Sequence, residues 1–123
     1  MVSQLGPAID VRRTSRHERD LLIQLLKELE QPDWASGTVC PGWSMRDIAA
    51  HLLHDDLRRL SRTRDNVQGS APEIGESLPA FLNRANERWV EETRFLSPRV
   101  LVDLLARDQH LAGPLFKVVA VVR

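Results

Sequence analysis

Cys40-Pro41-Gly42-Trp43-Ser44-Met45-Arg46-Asp47-Ile48-Ala49-Ala50-His51 is the stretch on which the architecture turns. Pro41 and Gly42 are loop residues. Ser44 reads as an N-cap, because its hydroxyl can accept a backbone N–H that the first helical turn leaves unpaired. Asp47, three residues on, completes a short-armed capping box, and its charge suits the positive end of the helix. Trp43, just before the cap, can pack back on the first turn. A helix therefore begins at Ser44 and carries His51 two turns in. A helix presenting a histidine at a fixed height is how metal sites in helical bundles are built.

Helical periodicity spreads outward from this stretch. Ser15 can cap a first helix over residues 15–30, with Leu21, Leu22, Leu25, Leu26 and Leu29 as its apolar stripe. Gln31-Pro32-Asp33 ends that helix, since proline removes a donor and restricts the residue before it, and residues 34–41 form a loop. The second helix covers residues 44–64, with Met45, Ile48, Ala49, Leu52, Leu53 and Leu60 along one face. After a polar linker at 66–75, a third helix spans 77–95 with Leu78, Phe81, Leu82, Ala85 and Trp89 inward. Ser97-Pro98, a cap followed by an N1 proline, restarts a short helix to about residue 106. The expectation is an all-α bundle of three main helices, a short helix and an irregular apolar tail. Residues 1–14 read as a flexible lead-in, 15–106 as the helical domain and 107–123 as a divergent tail. The end of that tail, Lys117-Val118-Val119-Ala120-Val121-Val122-Arg123, is β-branched and strand-like.

Composition bounds the function. The chain has 123 residues, enough for one domain with one core. Its formal net charge is zero, so the molecule as a whole has no electrostatic attraction to nucleic acid or anionic membranes. No apolar run approaches the roughly 20 residues a membrane helix needs, and the N-terminus lacks the apolar core of a signal peptide. A single cysteine, Cys40, cannot form an internal disulfide, which points to a reducing cytoplasm.

Cys40 to Ser44 followed by Arg46-Asp47-Ile48-Ala49-Ala50-His51-Leu52 resembles the metal-binding domain of mycothiol-dependent maleylpyruvate isomerases, within the DinB-like helical superfamily. The likeness extends to Asp55-Asp56-Leu57-Arg58-Arg59-Leu60, to Trp89-Val90 and to Leu96-Ser97-Pro98-Arg99-Val100-Leu101. It runs from about Leu21 to about Ala106 and is most specific between Cys40 and Leu53. What the resemblance implies is an up-and-down four-helix bundle holding a divalent metal, usually zinc. One histidine ligand stands on the second helix, and a glutamate or histidine and a further histidine stand on the fourth. His51 matches the first ligand. The reactive thiol is that of the cosubstrate mycothiol, and an active member takes a small-molecule substrate. Lysine occurs only at Lys27 and Lys117, an arginine bias that suits a GC-rich, actinobacterial genome.

Beyond Ala106 the sequence departs from the family pattern. A glutamate or histidine followed four residues later by histidine is missing, and His110, beside Gly113-Pro114, matches neither remaining ligand. The chain therefore reads as truncated before the fourth helix. An apolar groove left open in this way calls for a homodimer or a partner helix.

Each candidate also has a plainer reading. By angle along the helix, Asp47, His51, His54 and Asp55 fall together away from Ile48 and Leu52, as a solvated face would. His54 can reach an ion at His51, and Asp55 can orient the His51 imidazole. Asp56 falls inside the apolar stripe, where a carboxylate needs a partner. Cys40 is a half-buried packing residue rather than a nucleophile, and Trp34, Trp43 and Trp89 are packing residues. Two alternatives to the thiol-dependent isomerase or transferase remain. One is a non-catalytic helical interaction module without the metal. The other is a DNA-binding helix-turn-helix using Arg58, Arg59, Arg62 and Arg64, against which stand Asp55, Asp56 and the lack of a turn near residue 53.

Overall fold

The computed structural model describes the backbone of residues 9–10, 12–112 and 119–120, and side chains from residue 16 to residue 111. In chain order the elements are β1 (Ile9–Asp10), α1 (Arg12–Glu28), α2 (Gln31–Trp34), α3 (Met45–Asp65), α4 (Leu78–Glu92), α5 (Pro98–Ala112) and β2 (Val119–Ala120). β1 and β2 pair antiparallel, Ile9 opposite Ala120 and Asp10 opposite Val119. Most of the expected lead-in and strand-like tail lies outside the described residues.

α3 is the central helix. It packs most extensively on α5 and next on α4, while α1 packs on α5. Of the caps expected from sequence, those at Ser44 and Ser97 form, while Ser15 lies inside α1, which begins at Arg12. Ser44 accepts from the Asp47 N–H and the Asp47 carboxylate accepts from the Ser44 N–H, and Ser77 accepts from the Ala80 N–H. Ser97 does the same for Val100. At its far end α3 closes on Asn66 in the left-handed conformation, φ 57°, a geometry asparagine tolerates better than most residues.

The core is Ile23 and Leu26 of α1, Trp34 of α2, Ala49, Ala50 and Leu53 of α3, and Leu101, Val102 and Leu105 of α5. Ala49 and Ala50 are small enough for the α3 backbone to come close to its neighbours. Each fully buried leucine contributes on the order of 1.5–3 kcal/mol relative to exposure.

Several boundaries and faces differ from the sequence reading. Pro32 does not merely stop α1; it stands at the start of α2, a short helix with a capping box between Glu30 and Asp33, which turns Trp34 into the core. The helix starting at Pro98 continues past residue 106 to Ala112. It is as long as α4, and its buried face carries Leu101, Val102 and Leu105. On α1 the buried arc is centred on Ile23 and Leu26, leaving Leu21 and Leu25 about half exposed. On α4 Phe81 and Val90 are buried, whereas Leu78 and Leu82 face outward. α3 runs unbroken through residues 53–54, so the turn a helix-turn-helix requires does not form. Among the described residues, no helix is long and apolar enough to cross a membrane.

Candidate functional site

The approach to α3 is built first. Cys40, Pro41, Gly42 and Trp43 form a tight turn closed by the Trp43 N–H to the Cys40 carbonyl at 3.1 Å. Gly42 has φ +79°, the left-handed conformation demanded at the third position of a type II turn, with proline before it. Thr38 ties the turn from beneath: its hydroxyl donates to the Trp43 carbonyl at 2.9 Å and accepts from the Cys40 N–H at 3.1 Å. Cys40 is a half-buried free thiol.

Arg46 fixes the start of α3 against the α4–α5 connection. Its guanidinium donates to the carbonyls of Thr93 and Leu96 and pairs with Asp47 at 3.0 Å. Asp47 is thus buried and serves as capping group and counter-ion together. It does not belong to a solvated face.

His51 and His54 also depart from that expectation. The Trp43 ring extends toward the second turn of α3. It reaches His51, with ring centroids 5.3 Å apart and planes tilted by 43°. An Asp55 carboxylate oxygen stands 3.4 Å from His51 Nε2. One turn on, His54 stacks on Trp89 of α4, with centroids 4.8 Å apart and planes nearly parallel. Trp89 is itself held by its Nε1–H donating to the Ala50 carbonyl at 2.7 Å. Burial pushes the His54 pKa down, the positive charge of Arg58 adds to this, and the Asn86 side chain and Asp55 oppose it. The resulting face of α3 is a half-buried polar seam walled by two tryptophans. The sequence placed Trp89 on the inner side of its helix, but only the packing of α4 on α3 shows that it stacks on His54.

Three polar atoms in this seam, Trp43 Nε1, His51 Nδ1 and His54 Nδ1, are buried with no hydrogen-bond partner among the described residues. Asp55 beside Nε2 is the arrangement in which a carboxylate sets the tautomer of an imidazole and leaves the other nitrogen's lone pair for a ligand. That fits one metal ligand with its orienting group. A catalytic zinc keeps about three protein ligands, and no group of three histidine, cysteine or acidic side chains is gathered among the described residues. The described residues therefore do not complete a metal centre.

The other residues singled out from sequence lie elsewhere. Asp56 points to the opposite side of α3, where Arg19 of α1 donates to it at 2.8 Å. His110 is an exposed residue near the end of α5. Arg64 pairs with its neighbour Asp65 at 2.9 Å on the surface.

Comparison with curated proteins and with solved structures returns no match. The family model described as the mycothiol maleylpyruvate isomerase N-terminal domain matches residues 15–112, which spans α5 to its last residue and begins within the first turn of α1. With most of its length matched and an all-α bundle built around the Ser44-capped helix, the chain belongs to the mycothiol maleylpyruvate isomerase N-terminal domain family.

Proposed function

We propose that this chain is a metal-binding domain of a mycothiol-dependent isomerase or transferase, with His51 as its metal position. The observation that carries this reading is the setting of His51: fixed against Trp43, flanked by Asp55, with Nδ1 buried and unpartnered. The described residues gather no set of three ligands, so at least one further ligand would have to come from elsewhere. The family's thiol cosubstrate suits a reaction in which sulfur adds to a double bond conjugated with a carbonyl. Addition turns that bond into a rotatable single bond, and elimination after rotation restores the double bond and the thiol.

The test is isomerisation of maleylpyruvate by the purified chain with mycothiol present. Turnover is expected to need the thiol and to fall at least 100-fold in His51→Ala. Thiol-dependent turnover that survives in the variant would remove His51 from the function.

One observation favours a second reading: the described residues gather no three-ligand group. On that reading the domain is a metal-free helical module that pairs with a second copy or a partner helix. A stable assembly lacking both metal and thiol-dependent turnover would favour it.

A further inference from the structure

The side of α3 opposite His51 carries an unusual buried cluster. Asp56 of α3 is 5% exposed and Asp108 of α5 is 3% exposed. They come from different helices, and among the described residues Arg19 of α1 pairs with Asp56, one nitrogen standing 2.8 Å from Asp56 Oδ1. Asp56 Oδ2, both oxygens of Asp108 and Arg19 Nη1 are buried without a hydrogen-bond partner among the described residues. Among the described residues, two carboxylates and one guanidinium leave one negative charge uncompensated, and a buried unpaired charge is strongly unfavourable. Carboxylates are also acceptors only when ionised, so Asp56 and Asp108 can hydrogen-bond each other only if a proton lies between them.

We infer that Asp56 and Asp108 share one proton in the folded protein, and that this proton latches α5 to the α1–α3 pair. In the latch Asp56 pairs with Arg19, and the Asp108 carboxyl donates to the unpartnered Asp56 oxygen. Among the described residues, the groups acting on Asp108 are Asp56 of α3, Arg19 of α1 and Gln109 on its own helix. Burial first, then the neighbouring Asp56 carboxylate, push the Asp108 carboxyl up to about 8, while Arg19 and Gln109 oppose the rise.

The pH dependence has a definite sign. An unfolded chain releases the Asp108 proton in the ordinary carboxylate range, near 3.9, while the folded protein keeps it to about 8. Between those values the folded state binds more protons, so raising the pH favours unfolding. The latch is complete below the ordinary carboxylate range and is lost as the pH rises through about 8.

The experiment is denaturant unfolding of the full chain and of Asp108→Asn from pH 5 to pH 9. The amide of the variant can donate to Asp56 at every pH. The wild-type folding constant is expected to fall by up to about tenfold per pH unit towards pH 8, with this slope missing in the variant. The variant is then the more stable protein at pH 9. Parallel pH curves for the two proteins would overturn the inference. If the variant does not fold, infrared spectroscopy of the wild type decides. The carbonyl stretch of a protonated carboxylic acid at pH 7, lost at higher pH, supports the latch, and full ionisation of all carboxyls at pH 7 overturns it.

Discussion

Leu105→Ala is expected to lower the unfolding free energy by about 2–5 kcal/mol, the range for truncating a fully buried leucine whose surroundings cannot close over the cavity. Leu105 is completely buried, as is Leu101 one turn earlier, and both belong to the core shared with α3 and α1. Against a total stability of about 5–15 kcal/mol for a domain of ordinary size, this is a large share. The neighbouring residue provides the control. Leu104 is 39% exposed, so Leu104→Ala should cost well under half as much. Denaturant unfolding of the two variants measures the difference. Equal losses would mean that α5 does not present the face described for it.

The second large effect falls on the α1–α3 contact. Arg19→Leu leaves the buried Asp56 carboxylate without its cation, and breaking a buried ion pair from one side costs about 3–5 kcal/mol. Arg19 is partly exposed, with 19% side-chain accessibility, which places the cost toward the lower end. Replacing both members, Arg19→Leu with Asp56→Leu, should recover much of the loss, since apolar replacement of a buried pair is often neutral. A thermal or denaturant double-mutant cycle reads this directly. Purely additive losses would show that Arg19 and Asp56 do not depend on each other.

The starts of α3, α4 and α5 were legible because capping is local chemistry, whereas α1 begins at Arg12, before the expected Ser15 cap. Ser44, Ser77 and Ser97 each lie next to the N–H groups they accept from, within three residues. Asp56 was also legible as an anomaly: a carboxylate in an apolar stripe must find a partner. Which partner is a tertiary fact, and Arg19 lies 37 residues away in sequence.

The rotation of α1 was less legible. Leu21, Leu22, Leu25, Leu26 and Leu29 cover a wider arc than one neighbouring helix can bury. The packing on α5 selects the edge containing Ile23 and Leu26. The length of α5 was obscured for a related reason. Asp108 occupies a buried position where periodicity calls for an apolar residue, so the stripe of Leu101 and Leu105 ends in a carboxylate.

At the candidate site the position of His51 followed from the Ser44 cap, and the role proposed for it from the resemblance of the Cys40–Leu53 pattern. Its surroundings did not. Angular arithmetic on a lone helix made Asp47, His51, His54 and Asp55 a wet face, because it omits what neighbouring segments lay over them. The turn at Gly42 brings Trp43 over His51, and α4 brings Trp89 over His54. Together they convert that face into a seam with unpartnered ring nitrogens.

The measurement that tests the central claim most directly is the metal content of the purified chain, by elemental analysis, beside that of His51→Ala. A near-stoichiometric divalent metal in the wild type, lost in a variant that still unfolds cooperatively, is the predicted result. Absence of metal from both proteins, or its full retention after His51 is removed, would contradict the assignment of His51 as the metal position.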